Sequence, residues 1–406
     1  MKILNLIPYC PVPPTFGGGL RVYHLLRWMT RHHDVRVLGY GTPEDALRME
    51  EELGHPAERT SMIPEPRLLS DRWKRLGQLY AFARNTSFTE VTSRNRAMQA
   101  ALDQALDQEP FDLVQIAYPV MGYFDFNTDA LRVLDAANVE YDIHRRVAQS
   151  TEGFVRKWWA EYEYRKLYPQ EIAICREQDA IFLTSKRDKE LLEPDVPGVP
   201  KFVVPNGVDT EYFQLPEGSS EENTLVFTGA INYFPNAEGI EYFIKEIFPL
   251  IQQRVPGVRL YVVGNAPPES VRRLASPDII VTGYVPDVRP YVQRASVYVV
   301  PLRIGGGTRL KVLEAMSMRR PIVTTSIGCE GIDVQEGETA FIADDPAAFA
   351  DATVRLLADR RLRQSMADRG RSFARERYDW SVVCAKLEDG YAAISRTAMP
   401  KGVVNA

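Results

Sequence analysis

At 406 residues, with 45% hydrophobic and 25% charged side chains, the chain has the balance of a soluble globular protein. It is long enough for two or three domains at roughly 150 residues each. A formal net charge of -5 argues against a nucleic-acid protein, which concentrates positive charge to displace counterions. The scattered Cys10, Cys175, Cys329 and Cys384 exclude a paired disulfide framework and read as reduced thiols of a cytosolic protein.

The chain opens on an apolar run, residues 3–8, whose prolines at 8, 11, 13 and 14 stop it short of a signal peptide, so it reads as a strand and its loop. No apolar stretch reaches the ~20 residues that a membrane-spanning helix needs. Further strands are expected at 35–40, 113–117, 131–135 and 180–184, with helical patterns between them. A polar, turn-rich run at 214–223 suits a domain boundary. Beyond it, strands are expected at 225–229, 259–264, 279–283, 297–302, 321–326 and 339–343. Strands alternating with helices predict an α/β protein of two doubly wound Rossmann-like domains facing each other across a cleft. The divisions are 1–210 for the first domain, 211–380 for the second, and 381–406 for a C-terminal helix and tail able to cross back onto the first.

Two glycine clusters carry the chemistry. Residues 13–24, Pro-Pro-Thr-Phe-Gly-Gly-Gly-Leu-Arg-Val-Tyr-His, follow the first strand, and Gly17, Gly18 and Gly19 would let the backbone approach a phosphate or sugar while Arg21 supplies charge. Residues 301–316, Pro-Leu-Arg-Ile-Gly-Gly-Gly-Thr-Arg-Leu-Lys-Val-Leu-Glu-Ala-Met, combine a strand end, Gly305, Gly306 and Gly307, and a helix beginning near Thr308. Free amides at Arg309 and Leu310 would point at an anion, with Lys311 and Glu314 on one helix face serving a diphosphate and ribose hydroxyls. The competing readings are a flexible loop for the first cluster, and for the second a turn with Thr308 as N-cap and a solvated lysine and glutamate.

Taken in order, residues 11–26, 135–146, the Val-Pro-Asn-Gly-Val-Asp of 204–209, 227–236, the Thr-Gly-Tyr-Val-Pro-Asp-Val of 282–288 and 301–316 make the chain resemble glycosyltransferase family four, glycosyl transferases group 1, near the branch of bacterial exopolysaccharide-associated sugar transferases. The resemblance covers nearly the whole chain. It implies a GT-B fold and retaining, metal-independent transfer of a hexose-type sugar from a UDP or GDP donor to a glycan, lipid-linked or small-molecule acceptor, without a tightly bound cofactor. By the same resemblance Glu314 meets the ribose, Tyr284 and Val285 lie near the base, Gly229 lies on the donor side, and the first half binds the acceptor.

Three departures stand against the pattern. Relatives carry two glutamates separated by seven residues, and the first falls on Gly306; the usual Arg and Lys pair falls on Ala230 and Asn236; and the histidine before Asn-Val-Glu falls on Ala137. Charge for the leaving diphosphate is then expected from Arg303, Arg309 or Lys311, with catalytic roles for Glu314, Lys311 and Arg309. Asn138, Glu140 and His144 are acceptor-contact candidates. No Asp-x-Asp pair marks a metal site. A non-catalytic nucleotide-sugar-binding subunit and a GT-B epimerase are the alternatives.

Residues 67–84 carry five cations against one acid, and Arg156-Lys-Trp-Trp159 adds another basic aromatic stretch. These suit peripheral contact with a membrane surface or a lipid-phosphate acceptor, against an ordinary amphipathic helix with Trp73 and Leu76 packed inward. The expected location is the cytoplasm, with that peripheral membrane contact as an addition.

Overall fold

A computed structural model describes residues 1–14, 17–65, 71–150, 153–215, 220–305 and 307–398, except the side chains of 71–73, 150, 397 and 398. Among the expected residues, Gly306 and the side chain of Trp73 therefore lie outside the described ones. The chain divides into two compact units, Met1–Val204 together with the C-terminal residues from Cys384 on, and Pro205–Val383.

The first unit is built on β1 (Lys2–Ile7), β2 (Asp34–Tyr40), β3 (Thr60–Ile63), β4 (Leu113–Ala117), β5 (Leu131–Ala136), β6 (Ala180–Leu183) and β7 (Lys201–Val203). They run parallel in the order β3-β2-β1-β4-β5-β6-β7, with Ile3 opposite Val35 on one side and Leu113 on the other. Strands covered by helices on both faces read as nearly continuous apolar runs, and β1 and β4, interrupted inside only by Asn5 and Gln115, are legible in the sequence for that reason. The two strands absent from the sequence expectation, β3 and β7, are the short edges of this sheet.

The second unit holds β8 (Thr224–Thr228), β9 (Arg259–Val263), β10 (Ile279–Gly283), β11 (Val297–Val300), β12 (Ile322–Thr324) and β13 (Phe341–Ile342), parallel in the order β10-β9-β8-β11-β12-β13. Its core joins both sheet faces to the covering helices, from Phe227 and Val262 to Phe243, Leu313 and Phe349. In each sheet the winding direction reverses once, between β1 and β4 and between β8 and β11. The carboxyl ends of strands flanking such a reversal are where open α/β sheets bind ligands.

Two buried glutamates on the helix Phe154–Arg176 fix neighbouring helices of the first unit. Glu163 accepts from the amides of Phe88 and Thr89 at 2.8 and 2.9 Å, and Glu171 from those of Glu140 and Tyr141 at 2.9 and 2.7 Å. Each carboxylate sits at the positive end of a helix and takes up amides that have no partner within it. The last helix, Trp380–Ala398, joins the first unit through Glu388, which accepts from Trp28 Nε1 at 2.9 Å and pairs with His33 at 3.0 Å, and through Tyr391 against Gln115.

Candidate functional site

In the second unit, the loops after β8 and β11 meet at the reversal. Gly229, at φ +156°, follows β8, and a Cβ there would lie 2.6 Å from Lys311 Nζ, so a side chain at this position would displace that ammonium. Lys311 donates to Asn236 Oδ1 at 2.8 Å and stands 4.2 Å over the Phe227 ring, while Asn236 Nδ2 donates to the Ala230 carbonyl at 2.9 Å. The two positions of the second departure, Ala230 and Asn236, are thus one device: the asparagine bridges the first loop to the lysine of the second. Burial, with Arg309 adding to it, lowers Lys311 to about 7 against the pull of Glu314. Burial raises Glu314 to about 7 against the pull of Lys311. Such a pair, one turn apart with both groups near neutrality, can follow the charge of a ligand. Below it Thr228 Oγ1 and Tyr298 Oη share a 2.5 Å hydrogen bond.

Other expected donor contacts are engaged elsewhere. The helix runs Leu310–Ser317 with Arg309 as its cap, so Thr308 is not the N-cap, and its buried hydroxyl has no hydrogen-bond partner among the described residues. The Leu310 amide, expected free, donates to the Thr308 carbonyl at 3.1 Å. Arg309 is buried beneath the glycine turn, donating from Nε to Ile327 O at 3.2 Å with Glu330 at 3.8 Å, and a Cβ on Gly305 would fall 2.7 Å from its guanidinium. Arg303 pairs with Glu238 and lies 4.0 Å over the Tyr242 ring. The buried Arg309 is thereby committed to the protein, while Lys311 is the cation set against the loop after β8. Gly307 takes φ +73°, and Tyr284, 74% exposed, follows β10 beside the half-buried Val285 on the same edge of the sheet.

In the first unit the glycine cluster is not a loop: Gly17, Gly18 and Gly19 form the first turn of the helix Gly17–His32. Arg21, expected to offer charge to a ligand, is fully buried, with Nε 3.1 Å from Asp135 Oδ2, Nη2 2.5 Å from Oδ1, and Nη1 donating to Val204 O at 2.9 Å. The helix turns it inward on the same face as Leu25 and Met29, and burial requires a carboxylate partner.

Around this end of the sheet, Tyr9 after β1 and Tyr118 after β4 bring their rings to 6.0 Å, and Tyr118 holds φ +68°, a costly conformation for a non-glycine residue. Neither tyrosine is marked by any motif. Burial pushes Glu140 up to about 6, with Asn138 hydrogen-bonding against that shift. His144 is held below the usual histidine range by burial, with Glu163 opposing. Ala137, in place of the family histidine, is buried, and its carbonyl accepts from Thr184 Oγ1 at 3.3 Å.

Residues 222–359 match the family model described as "Glycosyl transferases group 1". A Klebsiella pneumoniae protein of 44.6 kDa from the cps region is 22% identical over 95% of this chain and 98% of its own length. The Staphylococcus aureus capsular polysaccharide biosynthesis glycosyltransferase CapM is 24% identical over 57% of this chain and 66% of its own. Among solved structures, Anabaena HepE in complex with UDP superposes with a TM-score of 0.70 at 12% identity, covering 97% of this chain and 100% of that one. The second unit of this chain is accordingly a glycosyl transferases group 1 domain, of the family-four-like kind, and the two Rossmann-like units together make a GT-B fold.

Proposed function

We propose that the chain transfers a hexose-type sugar from a UDP or GDP donor to a glycan or lipid-linked acceptor, with retention and without a resident metal. The carrying observation is the junction of Gly229, Asn236, Lys311 and Glu314 where the loops after β8 and β11 meet. In this reading the diphosphate approaches the glycine turn, Lys311 stabilises its charge as the glycosidic bond breaks, and Glu314 accepts from the ribose hydroxyls. The leaving phosphate oxygen takes the acceptor proton on the same face, so no protein nucleophile is needed and positioning and charge stabilisation dominate. The UDP in the HepE structure and the capsular role in the CapM name support the donor and acceptor classes.

Acceptor recognition falls to the first unit in this reading, at Tyr9, Tyr118, Asn138 and Glu140. Thermal-shift screening against UDP-, GDP- and ADP-sugars is expected to single out one base, since a ligand that prefers the folded state raises its melting point. Transfer measured beside Glu314→Ala then tests the chemistry. Nucleotide binding with neither transfer nor hydrolysis would establish the binding-subunit reading that Gly306 and Ala137 motivate, and isomerisation without acceptor would establish an epimerase.

Peripheral membrane contact belongs to the same proposal. Among the described residues no helix is long and apolar enough to cross a membrane. The helices Asp71–Ala83 and Phe154–Arg176 meet through Phe82, 5.9 Å from Trp158 and 5.5 Å from Tyr162. Leu76, expected inside, is 47% exposed, and Leu79, Phe154, Val155 and Trp158 on these two helices are exposed as well, as are Lys74, Arg75, Arg156 and Lys157. Exposed apolar side chains interspersed with cations along the same helices suit an anionic bilayer interface. Liposome sedimentation is expected to depend on anionic lipid and to weaken in Leu79→Glu; indifference to lipid charge removes this part.

A further inference from the structure

The second unit has another cavity, of about 410 Å³, at the amino ends of β8, β11 and β12, the end of the sheet opposite the Lys311 junction. Four arginines line it, Arg319, Arg320, Arg360 and Arg363, against two carboxylates, Glu222 and Asp368. Asp368 already faces Arg319 at 3.5 Å. Arg320 is nine-tenths buried, and among the described residues its guanidinium bonds backbone, Met318 O at 3.1 Å and Ala295 O at 2.9 Å. Burial lowers it to about 10, a measure of how poorly its charge is compensated there.

Arg360 and Arg363 stand at the start of the helix Arg360–Tyr378, whose first turn carries no acid. Cations at that end of a helix oppose its dipole, which favours anions. The N-cap, Asp359, is occupied by the amides of Arg361 and Leu362 at 2.9 and 3.0 Å. Arg363 donates to Leu356 O at 3.0 Å, and burial lowers it too, with Arg360 adding to that and Glu222 and Asp359 opposing. Carbonyl partners satisfy hydrogen bonds but do not neutralise charge. An anion would do both.

We infer that this cavity is a binding site for a phosphorylated small molecule, of sugar-phosphate to mononucleotide size, separate from the donor corner. The volume lies within the span of ordinary ligand pockets, roughly 300–1,000 Å³, and two or more arginine forks match the oxygens of one phosphate. Met318, Arg319 and Arg320 directly follow the helix Leu310–Ser317, whose other end carries Lys311. The ligand therefore touches the far end of the helix that would hold the donor, about 12 Å away at 1.5 Å per residue. This inference does not depend on the chain being a transferase.

The test is calorimetric titration of the full chain at low salt with glucose 1-phosphate and, separately, inorganic phosphate. Saturable binding of glucose 1-phosphate is expected, unchanged in Lys311→Met and weakened about tenfold or more in Arg360→Glu. Arg360 is exposed and has no part in the core, so that variant should fold, and Arg363→Gln gives a second reading. Loss of binding in Lys311→Met would put the ligand at the donor corner. Indifference to Arg360→Glu, equal affinity for inorganic phosphate, or no saturation up to about 10 mM, far weaker than the binding of about 4 kcal/mol that a millimolar constant represents, would each overturn the assignment.

Discussion

The two glycine clusters look alike on paper and behave differently in the fold. Each places an arginine two residues after its third glycine, Arg21 after Gly19 and Arg309 after Gly307. Both arginines are buried and held by the protein, Arg21 by Asp135 and Arg309 by Ile327 and Glu330. The first cluster is the opening turn of a sixteen-residue helix, while the described glycines of the second, Gly305 and Gly307, precede the helix in backbone that needs φ of +142° and +73°. In the second cluster the next cation, Lys311, is set against the loop from the neighbouring strand. Charge beside a glycine run therefore does not identify a ligand contact. Which face of the following helix carries that charge does.

The contrast breaks most sharply at its two cations. Arg21→Ala strands Asp135 in the core and is expected to cost about 3–5 kcal/mol, the range for breaking a buried pair, read as a drop in melting temperature. Lys311→Met should leave stability unchanged or slightly raised, because a partly desolvated cation is removed, yet weaken nucleotide binding by about 1.5–3 kcal/mol, the worth of a hydrogen bond to a charged group, read by titration with the preferred nucleotide. If the two variants exchange phenotypes, the division between a structural and a binding arginine-lysine pair fails.

Asn236→Ala sharpens the same comparison on a smaller scale. It removes the strut under Lys311 without removing the charge, so affinity should fall by about 1 kcal/mol, roughly fivefold, with transfer retained when nucleotide saturates. The pH dependence of nucleotide binding should be weaker still and bell-shaped. Lys311, lowered to about 7, loses its proton and its hold on phosphate as pH rises through that value. Glu314, raised to about 7, loses its acceptor character as pH falls through it. The optimum is therefore near neutrality, the alkaline limb vanishing in Lys311→Met and the acid limb in Glu314→Gln. A flat profile from pH 6 to 8, spanning about one unit on each side, contradicts that coupling.

Reading the strands from the sequence found each strand of the second sheet, its edges included, and missed the two margins of the first. Thr60–Ile63 and Lys201–Val203 are short and only partly buried, so neither periodicity nor an apolar run marks them. The site was legible to the extent that it lies in one continuous segment: the glycine turn, Lys311 and Glu314 come from residues 305–314, while Gly229 lies outside it. Asn236 was visible only as a departure from a pattern, because its use depends on a contact 75 residues away. Tyr9 and Tyr118 are likewise 109 residues apart in sequence and become neighbours only because β1 and β4 pair.

By itself, the sequence determined the alternation of strands and helices, the polar run near the unit boundary and the glycine-lysine-glutamate segment, since each is a local property of composition and spacing. The tertiary structure alone decided which cations are committed to the protein, which strands form the edges and which unit receives the last helix. Those depend on burial and on partners brought together from distant parts of the chain, and a charge acquires its role only when the fold either desolvates it beside a carboxylate or leaves it open to a ligand.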